Sequence, residues 1–218
     1  MSNSLHVLTR VAVVSCLMMA LSVGFVTDAN AVDGFKPLFN GKNLKGWSGD
    51  PELWSVVDGV ILGKSGPRKI RHNHFLSTKK SYDDFVLRVK VKLGNHNSGI
   101  QFRSEQRDDY VVAGYQADIA DNEYYGMLYE EQKRGILPYW NEMSKEDKAK
   151  IAAAVIKDDW NQYEITCKGD QIKMVLNGVT TLDMDDPAGA KEGIIALQLH
   201  AGPSMEVRFK DIEIKKLD

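Results

Sequence analysis

Two stretches, Trp54-Ser-Val-Val-Asp-Gly-Val-Ile-Leu62 and Ile172-Lys-Met-Val-Leu-Asn-Gly-Val-Thr-Thr-Leu182, each set an Asp-Gly or Asn-Gly dipeptide between two apolar runs. Both residues of such a dipeptide tolerate the positive φ angles of a two-residue type I′ turn, so each stretch is expected to be a β-hairpin. From Asp84 to Leu93, Phe85, Leu87, Val89 and Val91 alternate with Arg88, Lys90 and Lys92. That period of two belongs to a strand with one buried face. Further strands are expected at 97–104, 114–120, 161–168, 193–200 and 205–215. In the last, the apolar parity changes between Phe209 and Ile212, which predicts a bulge near Lys210-Asp211. One helix interrupts the series. Ser144-Lys-Glu-Asp147 is an N-terminal capping signature, and Ile151, Val155 and Ile156 follow at helical spacing, so this helix should cover a sheet edge or end. Many strands and one short helix describe an all-β protein, a sandwich or jelly roll of two antiparallel sheets.

The N-terminus bears on compartment. Arg10 precedes an apolar run from Val11 to Val26, and Ala29-Asn30-Ala31 follows as a small-residue cleavage site. This is the plan of a secretory signal peptide, residues 1–31, cleaved after Ala31 to give a secreted or periplasmic protein with no membrane attachment. The run is shorter than the ~20 residues that span a bilayer. Cleavage removes one Arg and one Asp, so the net charge stays at the −2 of the full chain. No basic stripe offers contacts to a nucleic-acid backbone. Residues 32–218 keep one cysteine, Cys167, and therefore fold as one domain on a hydrophobic core without an internal disulfide.

Three strands share a pattern. Gln101 and Arg103 oppose Ile100 and Phe102; Gln116 and Asp118 oppose Tyr115, Ala117 and Ile119; Gln198 and His200 oppose Ile195, Leu197 and Leu199. A solvated sheet face accounts for any one of these pairs. If the strands are neighbours, however, one face gathers an acid, a cation, an imidazole and planar amides. Such side chains, together with aromatic rings, suit a sugar. Trp140, Trp160, Tyr124, Tyr125 and Tyr129 are the candidate rings; core packing is the alternative for all of them and explains Trp160 equally well. Cys167 shares the apolar parity of Tyr163 and Ile165, which marks a buried thiol. The His72-Asn73-His74 run has no partner at metal-ligand spacing and reads as a solvated edge.

The ordered motifs carry a family resemblance. They are Gly34-Phe-Lys-Pro-Leu-Phe-Asn-Gly-Lys-Asn-Leu-Lys-Gly-Trp47, Trp54-Ser-Val-Val-Asp-Gly59, Asp84-Phe-Val-Leu-Arg88 and Asn97-Ser-Gly-Ile-Gln-Phe-Arg103, then Asp159-Trp-Asn-Gln-Tyr163, Leu176-Asn-Gly178 and Gly193-Ile-Ile-Ala-Leu-Gln-Leu-His200. From Phe35 to Leu217 the chain resembles the domain of unknown function 1080, described as the 3-keto-disaccharide hydrolase domain. The resemblance implies a concanavalin A-like β-sandwich and a carbohydrate substrate. One segment departs from it: many members have Gly-Tyr-Glu-x-Gln where this chain has Gly114-Tyr-Gln-Ala-Asp118. Gln116 cannot serve as a carboxylate nucleophile, so paired-carboxylate double displacement is not expected on that strand.

For such a substrate the resemblance implies a hydrolase acting on glycosidic bonds, and the signal peptide an exported one. A 3-keto sugar has an acidified C2–H, whose removal leads to expulsion of the C1 substituent and then addition of water. His200 is the expected base and Arg103 the group facing the enolate oxygen, with Asp118, Glu130 or Glu131 as the acid or as the group that orients His200. Gln101, Gln116, Gln198, Tyr125, Tyr129, Trp140 and Trp160 are the expected substrate contacts. A divalent metal ion held by Asp118, His200 and a Glu is the alternative electrophile. Two other readings stand beside this one: a non-catalytic carbohydrate-binding module, and an interaction domain of a cell-envelope assembly.

Overall fold

A computed structural model describes residues 33–67 and 69–218; the expected signal peptide lies outside them. The chain begins with β1 (Lys36–Pro37), β2 (Trp47–Ser48), β3 (Trp54–Val57), β4 (Val60–Lys64) and β5 (His74–Tyr82). Then come β6 (Phe85–Leu93), β7 (Asn97–Gln106), β8 (Val112–Ala120), β9 (Leu128–Glu131) and β10 (Gly135–Ile136). Helices α1 (Pro138–Glu142) and α2 (Lys145–Ala154) precede β11 (Asn161–Lys168), β12 (Gln171–Leu176), β13 (Val179–Asp185), β14 (Gly193–Leu199) and β15 (Glu206–Lys216). An eight-stranded sheet runs β13-β12-β11-β6-β15-β4-β3, with β1 also on β15, and a seven-stranded sheet runs β10-β9-β8-β7-β14-β5-β2. The result is a concanavalin A-like jelly-roll sandwich of two antiparallel sheets.

The local signals explain the elements. Both hairpin turns have two residues at positive φ, Asp58 at 51° with Gly59 at 77° and Asn177 at 49° with Gly178 at 85°, as a type I′ turn requires. Ser144 caps α2 by accepting the Asp147 N–H at 3.0 Å, and Ile151 is buried as the helix packs beside β13 at the sheet edge. The parity change in β15 is a real bulge. Its register against β6 shifts between Lys210 and Glu213, and Asp211 sits at φ 49°. The short turn α1 and the strand pair β9–β10 are additional to the expected elements. The latter turns what reads as a loop after β8 into a further part of the second sheet.

Between the sheets, Phe85, Leu87, Val89 and Val91 of β6 meet Ile100 and Phe102 of β7, Tyr115, Ala117 and Ile119 of β8, and Leu197 and Leu199 of β14, all buried. Among the described residues, no helix is long and apolar enough to cross a membrane.

Candidate active site on the outer face of the second sheet

Strands β8, β7 and β14 are neighbours in the second sheet, as the shared polar pattern requires. Their core-facing residues fix the opposite parity outward. Gln116 and Asp118 of β8 and Gln198 of β14 therefore share one face with Glu131 of β9 and with His200, just past the end of β14. These five line a cavity of about 310 Å³ together with Asn73, Asn97, Tyr124, Met127, Tyr129 and Ile136.

A lattice of amides holds the carboxylates. Gln116 Nε2 donates to Asp118 Oδ1 at 2.8 Å, and Asn97 Nδ2 lies 3.4 Å from Oδ2. Gln198 Nε2 and Gln101 Nε2 both donate to Gln116 Oε1 at 2.9 Å. Gln198 Nε2 also reaches Glu131 Oε2 at 3.3 Å, and Asn73 Nδ2 lies 3.4 Å from both Glu131 oxygens. Burial raises the Asp118 pKa to about 7, against the opposing hydrogen bonds from Gln116 and Asn97, with Glu131 adding a smaller upward push. Burial likewise raises Glu131, opposed by Asn73 and Gln198. Near neutrality the cavity thus holds at least part of its acid as neutral carboxyl.

His200 brings an imidazole to the cavity. Its Nδ1 lies 2.7 Å from the Ala201 carbonyl, which can only accept, so Nδ1 carries the proton and the neutral ring keeps its lone pair on Nε2. Burial lowers its pKa and the nearby His96 lowers it further, while the Ala201 carbonyl opposes them. The His96 ring meets it edge-on at 4.8 Å.

Several expected site residues are placed elsewhere. Arg103 is 1% exposed and does not share the face of Gln101. A bulge shifts the β7–β8 register between Phe102 and Glu105, with Arg103 at φ 46°, and turns its side chain away. There it donates to the carbonyls of Asp83 and Gly169 and to Asp84 Oδ1, at 2.9, 2.8 and 2.7 Å. Glu130 is the register partner of Tyr115 and so faces the core side of its strand. It pairs with Arg134, which also binds Asp186 at 2.5 Å. Tyr125 stacks on Tyr163 in the core at 6.3 Å, and Trp140 is buried there too. Trp160 leads into β11 of the other sheet, where Lys210 Nζ lies 4.2 Å over its ring. Gln101 lies beneath the cavity and supports Gln116 from below.

Asn73, Asn97, Met127 and Ile136 join the site without having been singled out in the sequence. Asn97 shares the parity of Gln101 and was legible from it. Asn73 is brought in by its contact with Glu131, which no spacing announces. As for a metal, the described residues contain no group of three His, Cys, Asp or Glu side chains able to hold an ion. Both Asp118 oxygens already face amide N–H groups. This donor set does not fit a resident metal.

Fold and site together define a jelly-roll sandwich with a carboxylate-, imidazole- and amide-lined cavity on one sheet. The chain belongs to the 3-keto-alpha-glucoside-1,2-lyase-like domain family, which matches residues 34–215. Among solved structures it is similar to a candidate glycosyl hydrolase from Parabacteroides distasonis, with 22% identity and a TM-score of 0.63, covering 88% of this chain and 98% of that one. A second candidate glycosyl hydrolase from that organism shows 26% identity and a TM-score of 0.59, over 84% and 99%. The carbohydrate-binding module CBM66 of Bacillus subtilis shares the fold at 14% identity and a TM-score of 0.56, over 78% and 96%. No curated protein shows significant similarity to the chain.

Proposed function

We propose that the protein is an exported enzyme that cleaves the glycosidic bond of 3-keto-disaccharides or related glycosides in the β7–β8–β9–β14 cavity. The observation that carries this reading is the gathering of Asp118, Glu131 and His200 around one cavity. Burial favours the neutral acid form of both carboxyls and the neutral form of the imidazole. Family membership supports the substrate class, since the family is described by a 3-keto-α-glucoside lyase activity.

In this reading His200 Nε2 removes the C2 proton, and the electron pair of that C–H bond moves into an enolate on the C3 oxygen. The enolate then collapses, re-forming the C3 carbonyl and a C1=C2 double bond while the C1–O bond breaks. The leaving oxygen takes its proton from Asp118 or Glu131. Water adds across C1=C2, hydroxyl to C1 and proton to C2. With Arg103 on the far side of the sheet, the enolate oxygen is met by uncharged donors, the amides of Asn73 or Asn97 and the phenols of Tyr124 or Tyr129.

The test is a product assay on residues 32–218 with 3-keto-trehalose or 3-keto-sucrose against the unoxidised disaccharides. Cleavage of the keto sugars alone is expected, with a loss of about 10²-fold or more in His200→Ala and Asp118→Asn. A second reading, a binding module without turnover, is favoured by one observation. The cavity wall is rich in amides and, among the described residues, has no permanently charged cation. Disaccharide binding by the wild type with no cleavage of either substrate would decide for it.

A further inference from the structure

We propose that Gln116 is a positioning residue whose amide orients the Asp118 carboxyl for the reaction, and that Gly99 is kept small to admit it. The proposal rests on the functional reading above for its bearing on catalysis, but its geometry stands independently.

A Gln side chain can flip its amide, exchanging donor and acceptor. Gln116 is denied that freedom. Its Oε1 accepts from two N–H groups, Gln101 Nε2 and Gln198 Nε2, each at 2.9 Å. Turned over, the amide would set its own N–H against both donors. Nε2 must therefore face Asp118 Oδ1. Gln198 is itself oriented by Glu131, whose Oε2 lies 3.3 Å from the same Nε2, and Gln101 is backed by Ser104, whose Oγ lies 2.7 Å from Gln101 Oε1. Hydrogen bonds thus run from Gln198, and from Gln101 backed by the Ser104 hydroxyl, through Gln116 to end on the Asp118 carboxylate. Gln101, Ser104, Gln116 and Gln198 are all buried, so no water competes for these groups on equal terms.

Gly99 supplies the space. It is the β7 partner of Asp118 in the ladder, yet the side chain that crosses it belongs to Gln116. A Cβ built on Gly99 would lie 2.3 Å from Gln116 Cδ, 2.5 Å from Cγ and 2.6 Å from Oε1. Gly99→Ala therefore displaces the amide itself. The charged and titratable groups around Asp118 besides this amide are Glu131 of β9, His200 at the end of β14, the Tyr124 and Tyr129 phenols of the cavity, and the nearby Tyr139 and Tyr163 phenols.

The test reads Asp118 directly, by ¹³C NMR of the side-chain carboxyl as pH is varied, in wild type, Gln116→Met and Gly99→Ala. Gln116→Met keeps the volume and loses both hydrogen-bonding roles. An N–H donor to the carboxylate favours the charged form, so its loss should raise the Asp118 midpoint by about one pH unit. Gly99→Ala should move it in the same direction, and Ser104→Ala, behind Gln101, by less. The kcat–pH profile on a 3-keto-disaccharide should shift with the NMR midpoint. Midpoints within 0.2 of a unit of wild type, roughly the resolving power needed against such shifts, in folded Gln116→Met and Gly99→Ala would overturn the positioning role. Shifted midpoints in a protein with no turnover would instead uphold the geometry and reject the enzymatic reading beneath it.

Discussion

Arg103 anchors an end of the sandwich. Its guanidinium ties the Asp84 carboxylate and the Gly169 carbonyl of the first sheet to β7 of the second. Truncation empties the buried space the side chain fills and takes the cation from the Asp84 carboxylate, which is 30% exposed and still accepts from the Gly169 N–H, so Arg103→Ala should cost about 2 kcal/mol of stability in urea unfolding. The folded fraction should keep its turnover per molecule; a catalytic loss without a stability loss would contradict this placement. Asp118 has the opposite relation to stability. Its folded pKa of about 7 lies above the ~3.9 of an unfolded aspartate. Between those values the native state holds a proton that the unfolded chain has released, so Asp118 makes stability rise as pH falls from about 7 toward 4. Asp118→Asn should flatten that slope and stabilise the protein at pH 8 by ~1 kcal/mol or more. A slope unchanged in the variant would show that Asp118 titrates normally. The sequence made Gln116, Asp118, Gln198 and His200 legible because each alternates with apolar neighbours. It could not place Arg103, since a bulge at Arg103-Ser104 breaks the alternation that would put it beside Gln101. Nor could it choose between Glu130 and Glu131, adjacent carboxylates that a strand sends to opposite faces.

At the scale of elements, the bulge in β7 is built jointly by three strands. It sits at Arg103-Ser104, and the strands on either side contribute glycine next to it. A Cβ on Gly193 would lie 2.4 Å from the Arg103 carbonyl carbon and from the Ser104 nitrogen. One on Gly114 would lie 2.7 Å from Ser104 Cα. These are backbone atoms that cannot rotate aside. Gly193→Ala should therefore destabilise the fold by about 2 kcal/mol or more, the range of overpacked sites, measured by thermal or urea unfolding. A neutral effect would mean that the bulge relaxes freely. Here local signals differed in strength. The bulge in β15 was readable from its change of apolar parity, and both hairpins from their Asp-Gly and Asn-Gly turns. The β7 bulge leaves no such trace. The pair β9–β10 is hidden because its four-residue and two-residue strands are too short to show a period.

Across the whole molecule, the sheets are joined by their apolar core and by an ion cluster. Arg134, after β9, links Glu130 to Asp186, which follows β13 of the other sheet, and the Tyr115 hydroxyl also donates to Asp186. Arg134 and Tyr115 hold the Asp186 carboxyl below its ordinary pKa, so this latch stabilises at neutral pH and weakens as the carboxyl protonates in acid. Cys167 lies inside the same core at 0% exposure, and burial pushes its thiol up to about 12. In residues 32–218 a thiol reagent should label Cys167 only as fast as the protein unfolds globally. Rapid labelling of the native protein would contradict the packed core. The sandwich was foreseeable from many alternating strands, whereas the cavity depends on which strands become neighbours, and periodicity does not encode that.

The central claim is that the outer face of the second sheet removes a sugar C2 proton. Its most direct test is the cleavage of 3-keto-trehalose in D₂O, followed by NMR of the released keto sugar at early times. The account predicts deuterium at C2 faster than the uncatalysed exchange of the product, lost together with cleavage in His200→Ala. Cleavage that leaves protium at C2 would mean direct hydrolysis at C1 and would contradict it.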